Sequence, residues 1–220
     1  MNCELIYQKI NEKTNKNHNN GGIAMDRSRA VSSFNEEQNR FIEWVLQKKN
    51  TDAIHDIQNL LVREKLKLKE VGKNFASFAL PNNFFAFSNI KVTASNGTCT
   101  DFLLPVPVKP ENQEEILFDE NNKPSFKYRE CPYFIQNNSI TILTDNFTID
   151  NLGLLYYRNP KPFNIKGYID ESNQESFDSE PEFSDRIVDR IISMVATSFD
   201  LNNENFNKIQ FDMNRTLSKF

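Results

Sequence analysis

Few residues in this chain have the types and spacing that chemistry requires. There are two histidines, His18 in an Asn-rich breaker and His55 between Asp52 and Asp56. Two histidines this far apart cannot form an HExxH helix or a similar His-based metal pattern. Asp52 and Asp56 could in principle serve His55 as an acid–base pair, but carboxylates at the start of a helix more simply stabilise its N-terminus. Cys3, Cys99 and Cys131 are odd in number and lack a CxxC pair, so neither a disulfide framework nor a zinc site is expected, and synthesis in a reducing cytoplasm is. With six glycines and no GxxxxGKS/T, GxGxxG or GxSxG sequence, neither a phosphate cradle nor a nucleophile elbow is expected.

Three further groups have both a chemical and a structural reading. Asp170, Glu171, Glu175, Asp178, Glu180 and Glu182 could offer oxygens to a hard cation, but they lack EF-hand spacing and its central glycine. A solvated acidic loop leading into a helix is the better reading. Phe84, Phe85 and Phe87, with Tyr156 and Tyr157, could stack on single-stranded nucleic acid, but few cations are interleaved with the first set. Alternation on a half-buried sheet accounts for these rings more directly. The most basic stretch, VREKLKLKEVGK, also contains Glu64 and Glu70 and reads as an exposed helical face. The expectation is a protein without catalytic, cofactor-binding or metal-binding residues.

The elements around these groups follow from periodicity. Residues 3–13 read as a short helix with Leu5, Ile6 and Ile10 on one side, broken by KNHNNGG. Asp26 is a plausible N-cap for a long amphipathic helix carrying Val31, Phe34, Gln38, Phe41, Ile42 and Val45 at spacings of three and four. Asn50-Thr51-Asp52 then caps another helix with Ile54, Ile57, Leu60 and Leu61 on a face. From about Asn74 the pattern becomes strand-like: NFASFALP, NFFAFSNIKVTAS, DFLLPVPVK, PSFKYRE, YFIQN, SITILTD and LGLLYYRNP. Asn96-Gly97 and Asn137-Asn138 read as hairpin turns, Pro105 and Pro107 confine their strand to an edge or bulge, and PENQEEILFDEN reads as a short helix. After the acidic loop, Phe183, Ile187, Ile191, Met194 and Val195 line one helix face, and a polar tail with Phe206, Ile209, Phe211 and Leu217 follows.

This order predicts an α+β fold: N-terminal helices over 1–73, a central antiparallel β-rich domain of five to seven strands over 74–170, an acidic loop and C-terminal helix over 171–201, and an extended assembly tail over 202–220. The stretch MNCELIYQKINEK lacks a basic region followed by an apolar one, and no apolar run approaches a membrane span, so neither export nor membrane insertion is expected. A formal net charge of -4 argues against a protein devoted to gripping nucleic acid.

Several segments together resemble the connector, adaptor or ring proteins stacked below the portal of short-tailed phages, especially those of crAss-like phages of Bacteroidales. They are ELIYQKINEK, GGIAMDRSRAVSSFNEEQNRFIEWVLQKKN, LPNNFFAFSNIKV, KPSFKYRECPYFIQNNSITILTDNF, LGLLYYRNPKPF and PEFSDRIVDRIISMVATSFDLNNENFNKIQFDMNRT, and they cover nearly the whole chain. Leu80-Pro81 before an aromatic run, and Tyr156-Tyr157-Arg158 with Pro160 before the acidic loop, carry most of the likeness. The resemblance implies a virion structural protein made in the bacterial host cytoplasm, with no cofactor and no catalysis. It also implies a ring of roughly twelve copies between the portal protein and other tail or ring proteins, with double-stranded DNA passing through the lumen unheld and no membrane partner. Under this reading Tyr156, Tyr157, Arg158, Phe206, Ile209 and Phe211 are the expected interface residues. The rival readings are a virion-associated hydrolase, which would need a carboxylate pair of raised pKa in one pocket, and a nucleic-acid-binding module, which would need a continuous basic stripe.

Overall fold

The computed structural model describes residues 1–17, 25–48, 51–169 and 174–200, and the expected tail over 202–220 lies outside the described residues. The fold is α+β, as the periodicities require. It divides into two units. One joins Met1–Asn59 to the chain from Pro160 onward, and the other is the continuous stretch Leu60–Asn159. The expected boundaries near 73 and 170 therefore move to 60 and 159, and the N- and C-terminal segments, expected as separate regions, share one core.

Among the described residues, the long helices of the first unit are α1 (Cys3–Asn17), α2 (Arg27–Lys48) and α5 (Asp185–Asp200). Asn2 caps α1 by accepting from Leu5 N–H at 2.8 Å, and Asp26 caps α2 by accepting from Arg29 N–H at 2.8 Å. On α1, Ile6 and Ile10 are fully buried while Leu5 faces outward, because Ile6 and Ile10 lie one turn apart and Leu5 does not share their face. Phe34, Phe41, Ile42 and Val45 of α2 meet Ile187, Ile191 and Val195 of α5 in the same core. Lys9 of α1 donates to Asp189 of α5 at 2.8 Å, and Lys13 to Ser193 Oγ at 2.7 Å, which fixes the register of these helices. The chain returning after the sheet is held by Asn35, whose side chain donates to Phe163 O at 2.9 Å and accepts from Phe163 N–H at 2.8 Å. That clamp seats the Phe163 ring 4.6 Å from Phe34.

The second unit contains eight strands: β1 (Leu61–Lys65), β2 (Leu68–Val71), β3 (Phe75–Ala79), β4 (Phe84–Asn96), β5 (Cys99–Pro107), β6 (Glu130–Gln136), β7 (Ser139–Leu143) and β8 (Thr148–Arg158). The short helix α3 (Thr51–Ile54) and a 3₁₀ turn (His55–Leu60) precede them, and a 3₁₀ turn (Pro110–Asn112) running into α4 (Gln113–Phe118) interrupts them, as PENQEEILFDEN implied. The strand order is β1-β8-β4-β5-β6-β7-β3-β2. Its two ends, β1 and β2, are separated in sequence by Leu66 and Lys67 alone. Leu66 N–H bonds to Leu152 O on one side, and Ala79 N–H to Lys67 O on the other. The stretch 61–71 thus leaves one half of the sheet and joins the other. β5 does the same at the opposite corner: Cys99–Leu103 pair with β4, and Leu104–Pro107 with β6. Strands that switch halves at both corners fold the inner faces onto each other. Ile90, Val92 and Ala94 of β4 and Leu152, Leu154 and Tyr156 of β8 accordingly share a core with Phe78, Ile140, Ile142 and Tyr133 of the other half.

Four expectations need correction here. LVREKLKLKE is β1 and β2, not the continuation of a helix: Lys, Glu and Leu are good helix formers, but the alternation of Leu66 and Leu68 with lysines has the period of a strand. The sheet is mixed, because β5 and β6 run parallel, and it has eight strands, not five to seven. PSFKYRE is a tight turn closed by the Ser125–Glu130 bridge, with Arg129 at φ 61°. Pro105 and Pro107 do occupy a one-sided stretch, in the half of β5 that pairs with β6 alone, where a missing N–H breaks no ladder. Both predicted hairpins form. Asn137 and Asn138 take φ of 50° and 58°, as a two-residue I′ turn demands, and Gly97 takes φ 61°.

Candidate assembly surface

The expected interface residues at the end of β8 divide by face. Tyr156 points inward, is 1% exposed, and stacks on Phe84 with ring centroids 5.8 Å apart. Its hydroxyl donates to Glu64 at 3.1 Å and bonds Asn83 Oδ1 at 2.9 Å. Burial, then the Glu64 carboxylate, raises its pKa. Tyr157 is also buried. Both rings are buried within this chain, which corrects their assignment to an interface. Arg158 is partly exposed and donates to Asn159 O at 3.2 Å. Phe206, Ile209 and Phe211 lie outside the described residues.

The polar candidates resolve into structural partners. Asp56, beside His55, pairs with Arg186 at 2.7 Å and Arg190 at 3.8 Å, tying the 3₁₀ turn to α5. Glu37 is buried on α2 and its pKa is raised by desolvation, while Arg40 opposes the shift through a 2.8 Å ion pair. Arg40 also holds Glu36 at 2.6 Å, so these two carboxylates share one guanidinium. Of the Phe84, Phe85 and Phe87 set, Phe84 and Phe87 pack on the core of the sheet unit, Phe87 with its ring 5.9 Å from Tyr133. Cys131 is buried and its thiol is pushed up to about 12, whereas Cys99, in the β4–β5 turn region, is exposed. Among the described residues no group of three or more His, Cys, Asp or Glu side chains is placed to hold a metal ion. No described helix is long and apolar enough to cross a membrane.

What the fold does assemble is apolar and faces outward. Along β5, Leu103 fills the core, and Phe102, Leu104 and Val106 project from the opposite face with 56%, 63% and 36% of their surface exposed. Three large apolar side chains in a row on a solvent face depart from the usual polar-out alternation. Leu68 and Val71 on β2, the end of the strand order, are likewise exposed. In the helical unit, Ile169 and Phe177 stand out at 71% and 70%. They belong to an arm closed by the Ile169–Glu175 and Asn164–Ser179 bridges, with Ser179 Oγ donating to Pro162 O at 2.7 Å. The sequence signalled β5 as apolar, but FLLPV carries large side chains on both faces, so which face turned outward was not legible.

No protein-family model matches the chain, and no curated protein matches it.

Proposed function

We propose that this chain is a structural subunit of a ring in the portal–tail connector of a tailed phage, forming part of the channel through which DNA is retained and ejected. The carrying observation is the outward apolar row Phe102, Leu104 and Val106 on a strand whose neighbouring residue Leu103 already satisfies the core. Leaving such a row in water is unfavourable by ~25 cal/mol per Å² of apolar surface, and association recovers that. A ring of more than two copies needs two different patches on each copy, one for each neighbour. The β5 row and the Ile169–Phe177 arm are two such patches on separate units. The assignment to a phage connector rests on the sequence resemblance. The net charge of -4 suits a wall past which DNA must slide without adhering.

The test is the assembly state of the purified full chain, by sedimentation velocity and negative-stain electron microscopy. Closed rings are expected, and Leu104→Asp with Val106→Asp should leave folded monomers, since neither side chain fills the core. A wild-type chain that stays monomeric at every accessible concentration, or aspartates that leave the rings intact, would overturn the reading.

A further inference from the structure

The outer face of β1, β8, β4 and β5 carries a shallow groove of about 470 Å³. Its walls hold Arg63, Glu64 and Lys65 of β1, Lys91 of β4 and Phe102 of β5, three cations against one carboxylate. Its floor is low at Gly153, where an added Cβ would meet nothing closer than Lys91 O at 3.8 Å. Arg63 and Lys65 point to this side because Val62 and Leu66 pack on the core and Glu64 turns to the Tyr156 hydroxyl. Lys91 Nζ sits 4.0 Å over the Phe102 ring, so the cation and the exposed aromatic form one composite surface. A groove that is basic, aromatic at one wall and open along the strands fits a narrow acidic element bearing an apolar side chain.

This chain presents such an element. On the arm of the helical unit, Glu175 and Asp178 are exposed and flank the 70%-exposed Phe177. The arm is held in shape by Ser176 N–H to Tyr168 O at 3.0 Å, Tyr168 N–H to Ser176 Oγ at 3.1 Å and Lys166 N–H to Asp178 Oδ1 at 2.9 Å. We propose that the arm of one copy docks in the β1–β8–β4–β5 groove of the next, Glu175 and Asp178 facing Arg63, Lys65 and Lys91, and Phe177 lying against Phe102. This inference rests on the ring reading and supplies its head-to-tail contact. Opposite charge sets on different surfaces of one chain favour a heterologous contact and oppose groove-to-groove or arm-to-arm pairing.

Charge exchange in the full-length protein tests it. Lys65→Glu with Lys91→Glu, and separately Glu175→Lys with Asp178→Lys, should each weaken self-association by roughly 100-fold, because each sets like charges against each other. All four substituted residues are exposed, and circular dichroism checks that the fold survives. Mixing the two double variants should restore assembly, since each then offers the other a complementary pair, and so should all four substitutions in one chain. Rings that persist through both reversals, or reversals that no mixture rescues, would overturn the docking and leave the ring reading standing. A wild-type chain that never associates would remove both. Should groove reversal abolish binding of a duplex DNA probe while leaving self-association unchanged, the groove would belong to nucleic acid and the docking would be rejected.

Discussion

The two units reach stability by opposite routes. The sheet unit is one continuous stretch, Leu60–Asn159, in which three of the seven ladders (β2–β3, β4–β5 and β6–β7) are antiparallel pairs of strands consecutive in the chain and the rest join strands more distant in sequence, with β5 and the 61–71 stretch turning the corners. The helical unit is assembled from the two ends of the chain, so α1 finds α5 across a separation of more than 180 residues, as the Met1 amino group to Asp185 pairing at 2.9 Å illustrates. Closing so long a loop carries an entropy cost that grows only slowly with length, and the folded sheet unit shortens the effective loop by bringing residues 60 and 159 into one folded body. The lesson is that helical periodicity predicted each helix without predicting that the first and last would share a core.

The largest expected effect comes from a pair of core truncations. Phe34→Ala in α2 removes the fully buried ring that packs, tilted, against Phe163 and should cost ~3–5 kcal/mol. Leu154→Ala in β8 leaves a cavity in the core of the sheet unit and should cost ~2–5 kcal/mol. The sole tryptophan, Trp44, lies on α2, so its fluorescence follows the helical unit while far-ultraviolet circular dichroism follows both. In urea titrations Phe34→Ala should lower the fluorescence midpoint more than Leu154→Ala does. Equal shifts by fluorescence would mean that the two cores melt as one and would break the distinction.

A smaller effect separates the units by pH. Glu37 sits in the helical core with its pKa raised above the ordinary 4.5 by desolvation. The folded state therefore binds that proton more tightly than the unfolded chain does. The resulting stabilisation is fully present below the ordinary value and is lost as pH rises through the folded one. Glu37→Gln, which keeps the shape without the charge, should gain stability relative to wild type between about pH 4 and pH 7. Urea midpoints at the two pH values check the sign, and a variant that loses ground as pH rises would show that the Arg40 pairing outweighs desolvation.

The smallest effect perturbs neither unit. Cys99 at the exposed β4–β5 turn should react with a thiol reagent at once in the native protein. Cys131, buried in the sheet unit and pushed up to about 12, and Cys3, buried in the helical unit and raised by desolvation, should react only on unfolding. Counting thiols modified before and after adding denaturant checks this, with Cys99→Ser removing the rapid one.

By itself the sequence determined the local structure: the α2 and α5 faces, the caps at Asp26, the I′ turn at Asn137-Asn138, and the α+β class, all of which depend on neighbours a few residues apart. It also favoured packing over nucleic-acid stacking for Phe84 and Phe87, whose rings lie against Tyr156 and Tyr133. Tertiary structure alone decided which of two apolar faces turns outward. Tyr156 and Tyr157, assigned to an interface by the family resemblance, are buried within the chain, whereas the face of Phe102, Leu104 and Val106 was left exposed because Leu103 had already taken the inward position. Period two tells that the faces differ, but only the pairing of distant strands, through the corners at 61–71 and β5, fixes which one is inside.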